Sequence, residues 1–183
     1  MNVGFDLDQV FINHPQFIPY KIVDWLHRGP QHNGPTYRFP RTKFEQSLRK
    51  FSHSRLFRPQ ISQNVAFLKE LTTSKSPKLH LITSRYSFLE KKTQKLLKKY
   101  ELVHLFTSVN LNLQNEQPHL FKERIINELE LDLFIDDDLK LLKYLKSHCP
   151  KTQLVWYNPY HKANDHVGIT TVHKLSQVEE FIK

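Results

Sequence analysis

Cysteine is almost missing from this chain of 183 residues: Cys149 stands alone. A lone thiol excludes an internal disulfide framework and suits a reducing compartment. Glycine is as scarce, with 4 residues, which excludes collagen-like and glycine-rich low-complexity chains. No apolar run approaches the roughly 20 residues a membrane-spanning helix needs. The opening MNVGFDLDQV places two acids where a secretory signal would carry basic residues. These absences point to a soluble, cytoplasmic protein with no membrane partner. Acids are also under-represented, 18 Asp and Glu against 27 Lys and Arg, for a net charge of +9. That excess favours anionic partners, from phosphorylated metabolites to nucleic acid. The hydrophobic share of 39% and aromatic share of 12% are enough for one folded domain of this length.

Apolar runs and breakers divide the chain into an alternating pattern. Strands are expected at Val3 to Leu7, Lys78 to Ile82, Val103 to Phe106, Leu131 to Ile135 and Gln153 to Tyr157. Helical spacing runs over Ile61 to Leu71, Phe88 to Tyr100, Pro118 to Leu129, Leu139 to Lys146 and Leu175 to Ile182. Alternation of this kind predicts an α/β fold, a Rossmann-like doubly wound parallel sheet. Residues 14–58 differ. Prolines 15, 19, 30, 35 and 40 fall here, and helical spacing over Phe17 to Leu26 and Thr42 to Phe51 is split by GPQHNGP. The expectation is a catalytic core of residues 1–13 and 59–183 with a small helical insertion, 14–58, after the first strand.

In an open parallel sheet, ligands bind beyond the carboxyl ends of the strands. The chemically versatile residues gather there. The first strand runs into Asp6 and Asp8, the second into Thr83 and Ser84, and the 131–135 strand into Asp136, Asp137 and Asp138. Carboxylates packed together demand a compensating cation, and Mg²⁺ is the hard ion such oxygens prefer. Taken singly, each element also suits a plainer role: the acids as turn or helix-start residues, Thr83 or Ser84 as a helix N-cap, Lys122 as a solvated helix residue.

Together and in this order they resemble the motifs of the haloacid dehalogenase-like hydrolases, mostly Mg²⁺-dependent phosphatases on a Rossmann-like fold. FDLDQV resembles that family's Asp-x-Asp motif, LHLITSR its Thr/Ser motif and LFIDDD its acidic pair, with Lys122 the lysine that precedes the last. The resemblance implies Asp6 as nucleophile and Asp8 as general acid/base. It implies Thr83 and Lys122 as ligands of the phosphoryl group, with Ser84 and Arg85 beside them. It implies a Mg²⁺ site of Asp6, Asp136 and Asp137 completed by the backbone carbonyl of Asp8. Gln9 departs from the pattern, standing where glycine is frequent. The segment 14–58 falls where many members insert a helical cap, and a small cap of this kind is similar to those of the deoxyribonucleotidase-like branch.

The implied activity is hydrolysis of a phosphomonoester through an aspartyl-phosphate, on a small phosphorylated metabolite with nucleotides favoured. Aromatics and arginines crowd the insertion, including Trp25, Tyr37, Phe39, Arg49 and Arg58, a mixture suited to bases and phosphates. Two alternatives use the positive charge and the lysine-rich EKKTQKLLKKY: a phosphatase for nucleic-acid ends, and a non-catalytic nucleic-acid-binding protein on the same fold.

Overall fold

A computed structural model of the protein describes residues 1–14, 34–54, 57–74, 77–160 and 168–182. The expected helix at Phe17 to Leu26 lies outside them. Among the described residues, six parallel strands form one sheet in the order β3-β2-β1-β4-β5-β6. They are β1 (Asn2–Phe5), β2 (Lys78–Tyr86), β3 (Ser108–Asn112), β4 (Leu133–Asp136), β5 (Gln153–Tyr157) and β6 (Thr170–Val172). The helices are α1 (Lys43–Ser52), α2 (Ser62–Ser74), α3 (Glu90–Lys99), α4 (Pro118–Glu128) and α5 (Leu139–His148). The doubly wound α/β arrangement is the one the alternating pattern requires.

The sheet is covered on both faces, as parallel sheets are. Val3, Phe5, Leu133 and Ile135 pack with Val65 and Leu68 of α2 and Leu96 and Leu97 of α3. Phe134 and Ile82 pack on the opposite face with Phe121 and Ile125 of α4 and Leu141 and Leu145 of α5. Consecutive residues of β4 thus serve two cores, which is why the strand reads as an unbroken apolar run. Gly4 sits on the second face, in the central strand. A Cβ there would stand 2.4 Å from Leu131 Cδ1 and 3.0 Å from Phe134 Cδ2. Gly4→Val is expected to cost about 2–3 kcal/mol through overpacking, read from the urea midpoint. A midpoint matching the wild type's would show that this face has room to spare.

Two expectations are corrected. Val103 to Phe106 is not a strand: Val103–Leu105 forms a 3₁₀ turn, and the edge strand follows at Ser108–Asn112. Its asparagines suppress the apolar signal but are satisfied locally, Asn110 donating to the Leu81 carbonyl and Asn112 to that of Glu116. The closing helix is also 3₁₀, over Leu175–Phe181, rather than α. The short β6 carries too few apolar residues for periodicity to reveal it.

Two irregularities shape the carboxyl edge. After β1 the chain turns tightly, with Gln9 at φ 60 and its N–H donating to the Ile12 carbonyl. The left-handed conformation explains why glycine suits this position, and Gln9 occupies it at modest cost. In β2 the register with β3 slips between Thr83 and Tyr86, so Ser84 and Arg85 bulge from the ladder. Bulges re-aim side chains at the rim of a sheet, and these two turn toward the cleft.

Candidate active site

The central strands β1 and β4 lie side by side, and Asp6 N–H donates to the Ile135 carbonyl just beyond the ladder. Parallel pairing therefore carries Asp6 and Asp136 to the same edge, as the sequence predicts. Lys122 reaches them from α4. Its Nζ donates to Asp6 Oδ1 at 2.7 Å and to Asp136 Oδ2 at 2.6 Å, all three side chains being buried. This is no solvated lysine. Burial disfavours its charge, but Asp136 and Asp6 push its pKa up, so it stays an ammonium. Thr83, buried in β2, and Ser84 line the same cleft. Asp138 is the N-cap of α5, accepting from the N–H groups of Lys140 and Leu141, and the Tyr37 hydroxyl also donates to it.

Carboxylate oxygens of Asp6, Asp136 and Asp137 lie within 4.8 Å of one another. Three acids share one ammonium, and their pKa values show the strain. Burial, then the neighbouring Asp136 and Asp8, push Asp6 up to about 7 against the pull of Lys122. Burial followed by Asp136 and Asp6 pushes Asp137 well above the carboxylate range. A hard divalent cation fits this donor set: all the ligands are oxygens, and its charge would reverse the cost of crowding them.

Asp8 belongs to a different cluster. Its carboxylate accepts from Arg85 Nε at 2.8 Å and Nη2 at 2.7 Å, and from Arg58 Nη1 at 3.0 Å. Burial pushes the Asp8 carboxyl up, but Arg85 and then Arg58 hold it well below the usual range. Arg58, 1% exposed, also donates to the Ser52 carbonyl and to His53 Nε2. That fixes the His53 tautomer, because Nδ1 faces the Arg49 carbonyl and must carry the proton. Arg85 lines the cleft beside Thr83 and Ser84; its guanidinium is paired with Asp8, and its remaining nitrogen contacts Thr93 Oγ1 at 3.4 Å. Arg49 and Arg58, noted in the sequence for their composition, line the cleft together with His53, His14 and Tyr86, three candidates that the sequence reading passes over.

The fold has many solved counterparts. YfnB of Bacillus subtilis, assigned as a HAD-hydrolase and solved with magnesium bound, superposes with a TM-score of 0.65 at 15% identity, over 100% of this chain and 98% of that one. A HAD phosphatase from Thermococcus onnurineus gives 0.61 at 14% identity, over 99% and 97%. The chain has the haloacid dehalogenase-like hydrolase fold. A dehalogenase matches it as well, with a TM-score of 0.66 at 10% identity over 98% and 96%, so the fold by itself does not choose between phosphate and halide chemistry. No protein-family model and no curated protein sequence matches. Among the described residues, no helix is long and apolar enough to cross a membrane.

Proposed function

We propose that this protein is a haloacid dehalogenase-like phosphatase, Mg²⁺-dependent, cytoplasmic, and acting on small phosphorylated metabolites, nucleotides among them. The observation that carries the reading is Lys122 bridging Asp6 and Asp136 beside Thr83 at the carboxyl edge of the sheet. Asp6, Asp136 and Asp137, with the backbone carbonyl of Asp8, would hold Mg²⁺, which when bound offsets the repulsion between an anionic nucleophile and an anionic phosphoryl group. A free oxygen of Asp6 attacks phosphorus in line, the P–O bond to the leaving group breaks as Asp8 passes its proton to the departing oxygen, and the phosphoryl group rests on Asp6. The Lys122 ammonium and the hydroxyls of Thr83 and Ser84 stabilise the equatorial oxygens. Water then attacks the aspartyl-phosphate, and Asp8 accepts its proton. Arg85 and Arg58 hold Asp8 in the carboxylate form which that step requires. Residues 14–58 act as a cap, since Tyr37, Arg49 and His53 face the cleft from that segment.

The test is hydrolysis of p-nitrophenyl phosphate with Mg²⁺ and with a chelator. Turnover is expected with Mg²⁺, falling at least about 100-fold in chelator, as loss of charge stabilisation at a phosphoryl group implies. Equal turnover in both conditions would remove the metal from the reading. A second reading, a phosphate at a nucleic-acid end, is favoured by one observation: α3 exposes Lys91, Lys95, Lys98 and Lys99. It requires affinity for an end-phosphorylated oligonucleotide that falls steeply with salt.

A further inference from the structure

The turn after β1 is held by its main chain. Gln9 N–H donates to the Ile12 carbonyl at 2.7 Å, and the N–H groups of Phe11 and Ile12 donate to the Leu7 carbonyl. None of these bonds uses the Gln9 side chain, and glycine would serve the turn better, because at φ 60 a Cβ crowds the backbone. The side chain is nevertheless enclosed: Gln9 is 9% exposed, and its Nε2 is buried with no hydrogen-bond partner. Two costs meet in one residue, a left-handed backbone and an orphaned amide donor. Costs of this kind collect at ligand sites, where binding offsets them. Gln9 lines the cleft and directly follows Asp8. It is not a partner of the Asp8 carboxylate, whose Oδ1 accepts from Arg58 and Arg85 and whose Oδ2 accepts from Arg85. The terminal torsion of a Gln side chain is broad and roughly two-fold, so the amide turns readily to present Nε2 to the cleft.

We propose that Gln9 determines specificity for the leaving group: its Nε2 donates to a neutral oxygen, hydroxyl or carbonyl, that the leaving group carries close to the scissile ester. This rests on the phosphatase reading and narrows it to phosphomonoesters of oxygen-rich alcohols, as against simple alkyl or aryl phosphates. In that reading Asp6, Lys122 and Thr83 surround the phosphoryl group and Asp8 meets the departing oxygen, so the residue after Asp8 borders the part of the substrate that departs. An amide suits the task because it is a neutral donor, whereas a second anion would call for a guanidinium or an ammonium. A compound without the oxygen leaves the buried amide unpaired, and a site built around such a donor discriminates against it.

Three compounds that differ only at the middle carbon of one chain isolate the contact: 3-hydroxypropyl phosphate, with a methylene there, glycerol 3-phosphate, with a hydroxyl, and dihydroxyacetone phosphate, with a carbonyl. Calorimetric titration with Mg²⁺ on the Asp6→Asn protein reads binding without turnover. The expected result is about fivefold tighter binding of glycerol 3-phosphate or dihydroxyacetone phosphate than of 3-hydroxypropyl phosphate, the scale of one net hydrogen bond. That ratio is expected to fall to about one when Gln9→Met is added. Gln9→Asn, a shorter amide that also tolerates the left-handed backbone, is expected to keep part of it. Urea unfolding of the ligand-free Gln9→Met protein separates recognition from damage: its midpoint is expected at or above that of the wild type, because the orphaned donor is gone. Equal binding of the three compounds would overturn the inference, as would a preference that survives Gln9→Met or an equal weakening of all three by that substitution. A midpoint well below the wild type's would overturn it too, by showing that the amide is satisfied within the protein. Whether the hydroxyl or the carbonyl is preferred separates the two sources of the oxygen. The outcome is independent of catalysis: absence of p-nitrophenyl phosphate hydrolysis would remove the phosphatase reading, whereas turnover accompanied by equal binding would remove only the inference about Gln9.

Discussion

Asp6→Asn is expected to lower kcat for p-nitrophenyl phosphate by at least about 10⁴-fold, because an amide oxygen does not form the covalent intermediate. The substitution keeps the shape of the side chain, and Lys122 retains Asp136, so the fold survives. Two further readouts separate loss of the nucleophile from general damage. Mg²⁺ is expected to raise the melting temperature of the wild type and to do so less in the variant, since one ligand is gone. The second is the pH dependence of stability without metal. With its pKa pushed up to about 7 in the folded state, against about 3.9 when unfolded, Asp6 takes up protons on folding. Its contribution is fully present below pH about 4 and is lost as pH rises through 7. Asp6→Asn removes that slope, so in chelator the variant gains on the wild type as pH increases. A variant that keeps turnover within tenfold of the wild type would show that another group attacks phosphorus.

Lys122→Met is expected to produce the largest loss of stability. It leaves Asp6 and Asp136 buried without their ammonium, and breaking a buried ion pair from one side costs about 3–5 kcal/mol. The neighbouring Phe134 ring, 5.7 Å from Nζ, offers the new methyl a contact but not a charge. Both orphaned carboxyls escape their cost by binding protons, so the loss is expected to be greatest near pH 8 and much reduced near pH 5, measured by urea unfolding in chelator. Adding Asp136→Asn is expected to recover part of the stability. A penalty independent of pH, with no recovery in the double variant, would mean that Lys122 matters for packing and not for charge.

How far these features are legible in the sequence depends on how local they are. Strands β1, β2, β4 and β5 announce themselves because burial on two faces makes them continuous apolar runs, and the chemical residues Asp6, Thr83 and Asp136 stand at or just beyond the carboxyl ends of the runs in β1, β2 and β4. Asp138 as a helix-start acid is legible for the same reason, its partners Lys140 and Leu141 being two and three residues on. The edge strand β3 is not, because it exchanges apolar residues for asparagines that bond to nearby carbonyls. The pairing of Arg85 with Asp8 is not legible from its place beside Thr83: the register of β2 slips there and its guanidinium turns to Asp8, and no spacing encodes a bulge. Arg58 lies 50 residues from the carboxylate it holds, and Arg49 meets Tyr86 only through the docking of α1. Such pairings are properties of the folded chain, invisible to any window of the sequence.

The sheet order has a consequence for how the molecule comes into being. β1 is made first and ends between β2 and β4, while the Asn2 backbone N–H donates to the carboxylate of Asp132, 130 residues later. Asp6 meets Lys122 across 116 residues. During synthesis the first strand therefore emerges long before its second neighbour exists, an apolar segment with an open edge. Contacts of such separation close slowly, because the chain must give up loop entropy before they form. The central seam of the sheet and the acid cluster at its end are completed together and late, so a chain interrupted before β4 has neither a finished core nor a place to hold a cation.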